Sequence, residues 1–216
     1  MGEFLIITFT DLKHYIDETE VYLPYQFVLK TLIAQGIIKK LSHARITSNS
    51  KLECSTADLK NDIKRIKKPY YIVSVTDYNI PESWLSFNEA LFDLSMQAKK
   101  EIYFYFPYYD LNAVKYFKDF ASINIKKNIT LYPPANHMNK EDALKALTEF
   151  EKIGFMCNFS NSGNHEKVYI FDKKAAIVGS FNFTGAGIYR NNELGVLIFG
   201  DEVVVLKKFI DQKILE

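Results

Sequence analysis

The sequence predicts an α/β protein in which helices flank a mixed β-sheet, preceded by a small helix-rich N-terminal segment. Three observations carry that prediction. From Ser83 onward, stretches with apolar residues at helical spacing alternate with short runs of β-branched and aromatic residues, the pattern of a layered domain. Between residues 165 and 184, two such runs meet at Asp172-Lys173-Lys174, which reads as a hairpin. Residues 1–75 lack the alternation, so the chain divides into segments 1–75 and 76–216. With 216 residues, 48% hydrophobic and 15% aromatic, there is material for a sizeable core in one large domain or two small ones.

Taken in order, DLKHYIDE (11–18) and LPYQFVLKTLIAQGII (23–38) look helical, and ARITSNSKLE (44–53) reads as a short hairpin. A helix ending in LIAQGIIKKL before a basic hairpin resembles the recognition helix and wing of winged-helix domains. That likeness implies nucleic-acid binding through Lys30, Lys39, Lys40 and Arg45. Farther on, Lys60–Lys68 fits a solvated helix face equally well. In the second segment Trp84, Phe87, Leu91, Leu94 and Ala98 fall on one helical face, with Ser86 and Glu89 at capping-box spacing. EIYFYFPYY (101–109) is a buried strand, and Leu111, Val114, Phe117 and Phe120 mark the next helix. NITLYPP (128–134) is a strand stopped by two prolines. Asn139 then caps a helix over 141–153 that Gly154 closes. FMCNFS (155–160) is a further strand, and after the hairpin come a strand in NELGVLIFG (192–200) and a terminal helix over 201–214. Aromatic residues at helical spacing are read as core, and none is assigned to substrate.

The hairpin holds the chemistry. Side chains alternate faces along a strand, so His165, Lys167, Tyr169 and Phe171 share one face while Asp172 lies on the other. A two-residue Lys173-Lys174 turn pairs Asp172 with Ala175, and so sets Lys167 opposite Ser180 and His165 opposite Asn182. Any even-numbered loop preserves this parity and a three-residue loop breaks it. An imidazole, an ammonium, a hydroxyl and an amide together suit an oxyanion, phosphate above all. A metal site wants further ligands at close spacing, and Asp172 has the wrong parity to join His165, so metal-free catalysis through histidine is expected.

His165-x-Lys167, four residues, Asp172, six residues, then Gly179-Ser180-x-Asn182 resembles the full signature of the phospholipase D superfamily, and Glu193 falls where that family carries an acidic partner. The likeness covers residues 80–216 and implies a phospholipase D-like layered domain. By the same resemblance His165 is the nucleophile that forms a covalent phosphohistidine, or its partner that protonates the leaving oxygen. Lys167, Ser180 and Asn182 hold the nonbridging phosphate oxygens, and Glu193 orients the imidazole. By parity Asp172 is expected to brace the turn or neighbouring structure. The family's chemistry needs two motifs, and His14, His43 and His137 begin none, so a homodimer with a shared site is implied.

Formal net charge is +1, yet between Lys30 and Lys68 ten basic residues face three acidic ones, a local balance of +7. A basic segment beside a phosphodiesterase favours nucleic acid as substrate and partner, DNA ahead of RNA. The implied activity resembles that of the small single-motif nucleases and of restriction endonucleases with the same core. A lipid phosphodiesterase and a non-catalytic DNA-binding regulator are the alternatives. No run approaches a membrane-spanning length, no cofactor or membrane partner is implied, and a cytoplasmic location is expected. Cys54 and Cys157 are isolated and read as buried thiols, with no disulfide.

Overall fold

The computed structural model describes residues 5–41, 47–56, 58–66, 68, 70–75, 81, 83–123, 127–136, 140–160 and 165–215. It divides the chain into two compact units, Met1–Lys68 and Pro69–Glu216. Arg45, His43, His137 and the expected cap Asn139 lie outside the described residues.

The first unit comprises β1 (Leu5–Thr8), α1 (Phe9–Thr19), α2 (Tyr25–Ala34), β2 (Ile38–Lys40), β3 (Lys51–Cys54) and α3 (Leu59–Ile66). Its three strands form an antiparallel sheet in the order β1-β3-β2. Thr8 starts α1 with a reciprocal capping box: its hydroxyl accepts from the Asp11 N–H at 3.1 Å, and the Asp11 carboxylate accepts from the Thr8 N–H at 2.7 Å. Leu12, Ile16, Val28, Leu29, Leu32 and Ile63 are buried, and α3 packs on both α1 and α2. β1 was not expected, because Leu5 and Ile6 are both exposed and their strand character comes from pairing with distant β3. The hairpin also starts earlier than expected: its first strand is β2, where Ile38 pairs with Cys54 and both are buried.

The second unit comprises β4 (Tyr70–Ser74), β5 (Leu85–Ser86), α4 (Phe87–Gln97), β6 (Glu101–Tyr105), α5 (Leu111–Ile123), β7 (Asn128–Tyr132), α6 (Glu141–Lys152), β8 (Met156–Cys157), β9 (Val168–Phe171), β10 (Ala175–Gly179), α7 (Gly185–Tyr189), β11 (Leu194–Phe199) and α8 (Asp201–Leu215). Eight strands form one mixed sheet in the order β5-β4-β11-β10-β9-β6-β7-β8. β4 pairs with β11, so this unit begins before residue 70, and the expected division at 75/76 moves to 68/69. The capping box at Ser86 does not form: Ser86 pairs with Ser74 as the end of β5, and its side chain makes no cap bond. Leu111, expected on the buried face of its helix, is 45% exposed at its first position, whereas Val114 and Phe117 are buried. Lys140, without a side-chain cap bond, occupies the N-cap of α6, and Gly154 beyond its end has φ 93°.

Both faces of the sheet are packed. On one face Phe104, Tyr169 and Phe171 meet Phe87 of α4 and Phe117 of α5, with Phe183 stacked on Phe117 and tilted against Phe150 of α6. Each of these rings is fully buried, a burial that stabilises by about 1.5–3 kcal/mol per side chain. On the other face Val168, Ile170 and Ala176 pack against Val203 and Ile210 of α8. The sheet thereby presents one end of β9, β10 and β11 where the motif residues lie.

Candidate active site

The β9–β10 hairpin has a three-residue turn. Phe171 pairs with Ala175, Ile170 with Ala176 and Val168 with Val178, and the Lys174 N–H donates to the Phe171 carbonyl at 2.9 Å. Asp172 and Lys173 both adopt the left-handed region, φ 50° and 55°, which absorbs the extra residue. The expected pairings of Asp172 with Ala175, Lys167 with Ser180 and His165 with Asn182 are therefore displaced by one residue. Lys167 comes opposite Gly179, whose N–H donates to its carbonyl at 3.2 Å.

The polar residues stand past the strand ends, where strict alternation no longer applies, and they form two pairs. Lys167 Nζ lies 3.2 Å from His165 Nδ1 and donates to the His165 carbonyl at 3.0 Å. His165 is exposed, with the Tyr108 ring edge-on at 6.3 Å between centroids. Across the hairpin, the Ser180 hydroxyl donates to Glu193 Oε2 and accepts the Leu194 N–H at 3.2 Å. Glu193 Oε1 accepts from Asn191 Nδ2 at 3.1 Å, and its carbonyl accepts the Val75 N–H at 3.3 Å, so Glu193 is held at both ends. In this chain the carboxylate of Glu193 thus fixes Ser180, while Lys167 and Tyr108 flank the imidazole.

Electrostatics joins the two pairs. Desolvation holds the Lys167 ammonium below the ordinary lysine range, and the charges of Glu193 and Glu166 pull it partly back. Asn182 follows two residues after Ser180; its Oδ1 is buried without a hydrogen-bond partner, and its backbone lies where a Cβ on Gly187 of α7 would stand. The segment between is pinned by the buried Tyr169 hydroxyl, which donates to the Phe181 carbonyl at 2.7 Å.

Two supports carry little local sequence signal. The Phe181 ring lies over the paired Gly179 and Gly195: a Cβ at Gly179 would fall 2.6 Å from the ring's Cε2, and one at Gly195 would also overlap it. Asp110 accepts the N–H groups of Ala113 at 2.9 Å and Gly185 at 3.0 Å, tying the start of α5 to the loop after Asn182. Asp172 stands apart from the cluster. Its carboxylate accepts the N–H groups of Lys99, Lys100 and Glu101 at 2.6, 2.9 and 2.9 Å, joining the turn to the start of β6. Among the described residues no group of His, Cys, Asp and Glu is arranged to hold a metal ion. Lys30, Lys39 and Lys40 belong to the first unit and are exposed.

Residues 91–212, more than half of the chain, match the family model described as cardiolipin synthase, PLD-like domain. The chain belongs to the phospholipase D superfamily. The fold of a phospholipase D family member, Nuc from Salmonella typhimurium, is similar at a TM-score of 0.54 and 16% identity, over 67% of this chain and 92% of that one. NucT from Helicobacter pylori is similar at 0.44 and 17% identity, over 57% of this chain and 84% of that one. Phosphatidylserine synthase from Haemophilus influenzae Rd KW20 reaches 0.48 and 11% identity, over 79% of this chain and 55% of that one. No curated protein matches the chain. Among the described residues no helix of this phospholipase D-like protein is long and apolar enough to cross a membrane.

Proposed function

We propose that this chain is a metal-independent phosphodiesterase, an endonuclease that cleaves DNA ahead of RNA in a site shared by two protomers. The observation that carries the reading is the pairing of His165 with Lys167 and of Ser180 with Glu193 beyond the ends of β9, β10 and β11, with the Glu193 charge acting on Lys167. A diester phosphate seated there attracts Lys167 Nζ away from His165 Nδ1, and the Ser180 hydroxyl and Asn182 amide complete its cradle. His165 of one protomer attacks phosphorus; a P–N bond forms, the P–O bond to the leaving group breaks, and the opposite protomer's histidine supplies that oxygen's proton. Water, deprotonated by the same second histidine, then displaces the imidazole and breaks the P–N bond.

The test sets purified protein beside its His165→Ala variant, each with labelled single- and double-stranded DNA and RNA in excess EDTA. Cleavage by the parent alone is expected, fastest on DNA. No cleavage of any nucleic acid, with release of headgroup from phosphatidylglycerol vesicles, moves the substrate to lipid. No turnover of either overturns the enzymatic reading.

A further inference from the structure

A second concave surface lies in the catalytic unit and takes no part in the chemistry assigned to His165, Lys167, Ser180, Asn182 and Glu193. β6 ends at Tyr105, Tyr108 then flanks the imidazole, and α5 begins three residues later at Leu111, so α5 starts from the end of the sheet that carries the motif. α7 starts there too, at Gly185, three residues after Asn182. Between α4, α5 and α7 lies a cleft of about 720 Å³, a size that suits a small ligand. Gly185 lets its walls close: a Cβ there would fall 2.6 Å from that of Asn112, whose side chain lies against the glycine.

Aromatic rings form the inner wall. Tyr116 of α5 stands edge-on to Phe92 of α4 at 6.3 Å and to Tyr189 of α7 at 5.6 Å between centroids, and its hydroxyl donates to the Asn88 carbonyl at 2.9 Å, which fixes the set. Tyr189 is 47% exposed, so its ring is open to a ligand in a way that the core rings are not. Lys115 and Arg190, both exposed, complete the lining. Among the described residues no carboxylate lines the cleft, and the charge of Asp93 reaches Tyr116 from outside it.

An open tyrosine ring between a lysine and an arginine matches a nucleotide, which joins a flat ring to an anion on either side. An acyl chain would use the rings and leave both cations idle. The cleft is also within reach of the cradle for the scissile phosphate. By chain length alone the Cα of Gly185 lies within roughly 11 Å of that of Asn182, and Arg190 directly precedes Asn191, whose amide holds Glu193.

We infer that this cleft takes an unpaired nucleobase of the strand being cut, stacked on Tyr189, with Lys115 and Arg190 on the phosphates beside it; the choice of a nucleobase rests on the nuclease reading. A base within a duplex would have to give up its stacking and pairing to enter, so the favoured substrate is single-stranded or unpaired at this nucleotide.

The test uses the full chain carrying His165→Ala, so that the strand stays intact, and a fluorescein-labelled oligodeoxythymidylate of roughly fifteen nucleotides. Tyr189→Ala is expected to weaken binding by about tenfold, and Tyr189→Phe, which keeps the ring, to stay within about twofold. On a strand of equal length built from abasic sugars, Tyr189→Ala is expected to lose nothing, because no base is there to stack. Lys115→Gln with Arg190→Gln is expected to make the slope of log affinity against log salt shallower by about 1.4. Strand affinity unchanged by Tyr189→Ala overturns the inference, and weaker binding of that variant to phosphatidylglycerol vesicles would then give the cleft to lipid. An equal loss on the abasic strand overturns it as well, since Tyr189 would then be a structural support. Where Tyr189→Ala melts early, Tyr189→Leu keeps bulk against Tyr116 while removing the flat face, and the same loss is expected of it. If the parent cleaves no nucleic acid in EDTA while Tyr189→Ala still loses affinity for the base-bearing strand alone, the phosphodiesterase reading falls and the nucleobase cleft stands.

Discussion

At the scale of single residues, Asp172 and Lys167 belong to one motif and do opposite work. Asp172 is an acceptor for three successive backbone N–H groups at the start of β6. Asp172→Ala strands those donors, and the expected cost is about 2 kcal/mol, or a melting temperature lower by about 4–8 °C, with small-diester turnover retained by the folded protein. Lys167→Ala is expected to leave melting unchanged and to lower turnover by roughly a hundredfold or more, since in the proposed mechanism the lost charge holds the phosphate. Equal effects of the two variants on melting and on turnover would refute this division. Lys167 also sets a pH limit. In the proposed mechanism its ammonium form grips the phosphate, and desolvation holds it below the ordinary lysine range, so kcat/KM is expected to fall as pH rises through a value below that range. Glu166→Gln removes one of the charges that raise the lysine, and the alkaline limb should move to lower pH. A limb that stays in place or moves upward contradicts the assignment.

At the scale of elements, the identity of the motif residues was readable and their register was not. The runs around Asp172-Lys173-Lys174 announced a hairpin, yet a three-residue turn with two left-handed residues carries no glycine or Asn-Gly mark, so an even loop was the natural count. The slip did not hide the cluster, because His165, Lys167 and Ser180 stand outside the paired strands. The alternating helices and strands from α4 to α8 declared themselves through local periodicity, except the short α7, which was not expected. β4 did not, because its membership in the large sheet depends on pairing with β11, more than a hundred residues later. Nor did the role of Gly195 emerge, since it depends on an aromatic ring from a neighbouring segment. Gly195→Ala places a methyl group against Phe181 and the Val178 carbonyl, and overpacking there should cost about 1–3 kcal/mol in denaturant unfolding. Full stability in Gly195→Ala would show that Phe181 moves aside freely, and the site's floor would then be less rigid than its packing suggests.

At the scale of the whole molecule, the proposed two-histidine reaction raises the question of how a chain with one motif would supply both histidines. Only His165 among the four histidines begins a His-x-Lys sequence, and it is exposed, so its imidazole is open to a second copy of the chain. A twofold contact makes each protomer's histidine available to the other, because isologous association sets the same patch against itself. Light scattering should then give twice the 25.0 kDa mass of one chain. The sharper measurement mixes parent with excess His165→Ala protein after subunit exchange. Hybrid dimers hold a single histidine, so turnover per parental subunit should fall in proportion to the share of parental partners. Turnover per parental subunit that stays constant, in a mixture shown to have exchanged, means that one chain carries the whole reaction. The proton for the leaving group would then have to come from another acid near His165, and Glu166 and Tyr108, the first through the His165 N–H and the second at its ring, are where that search begins.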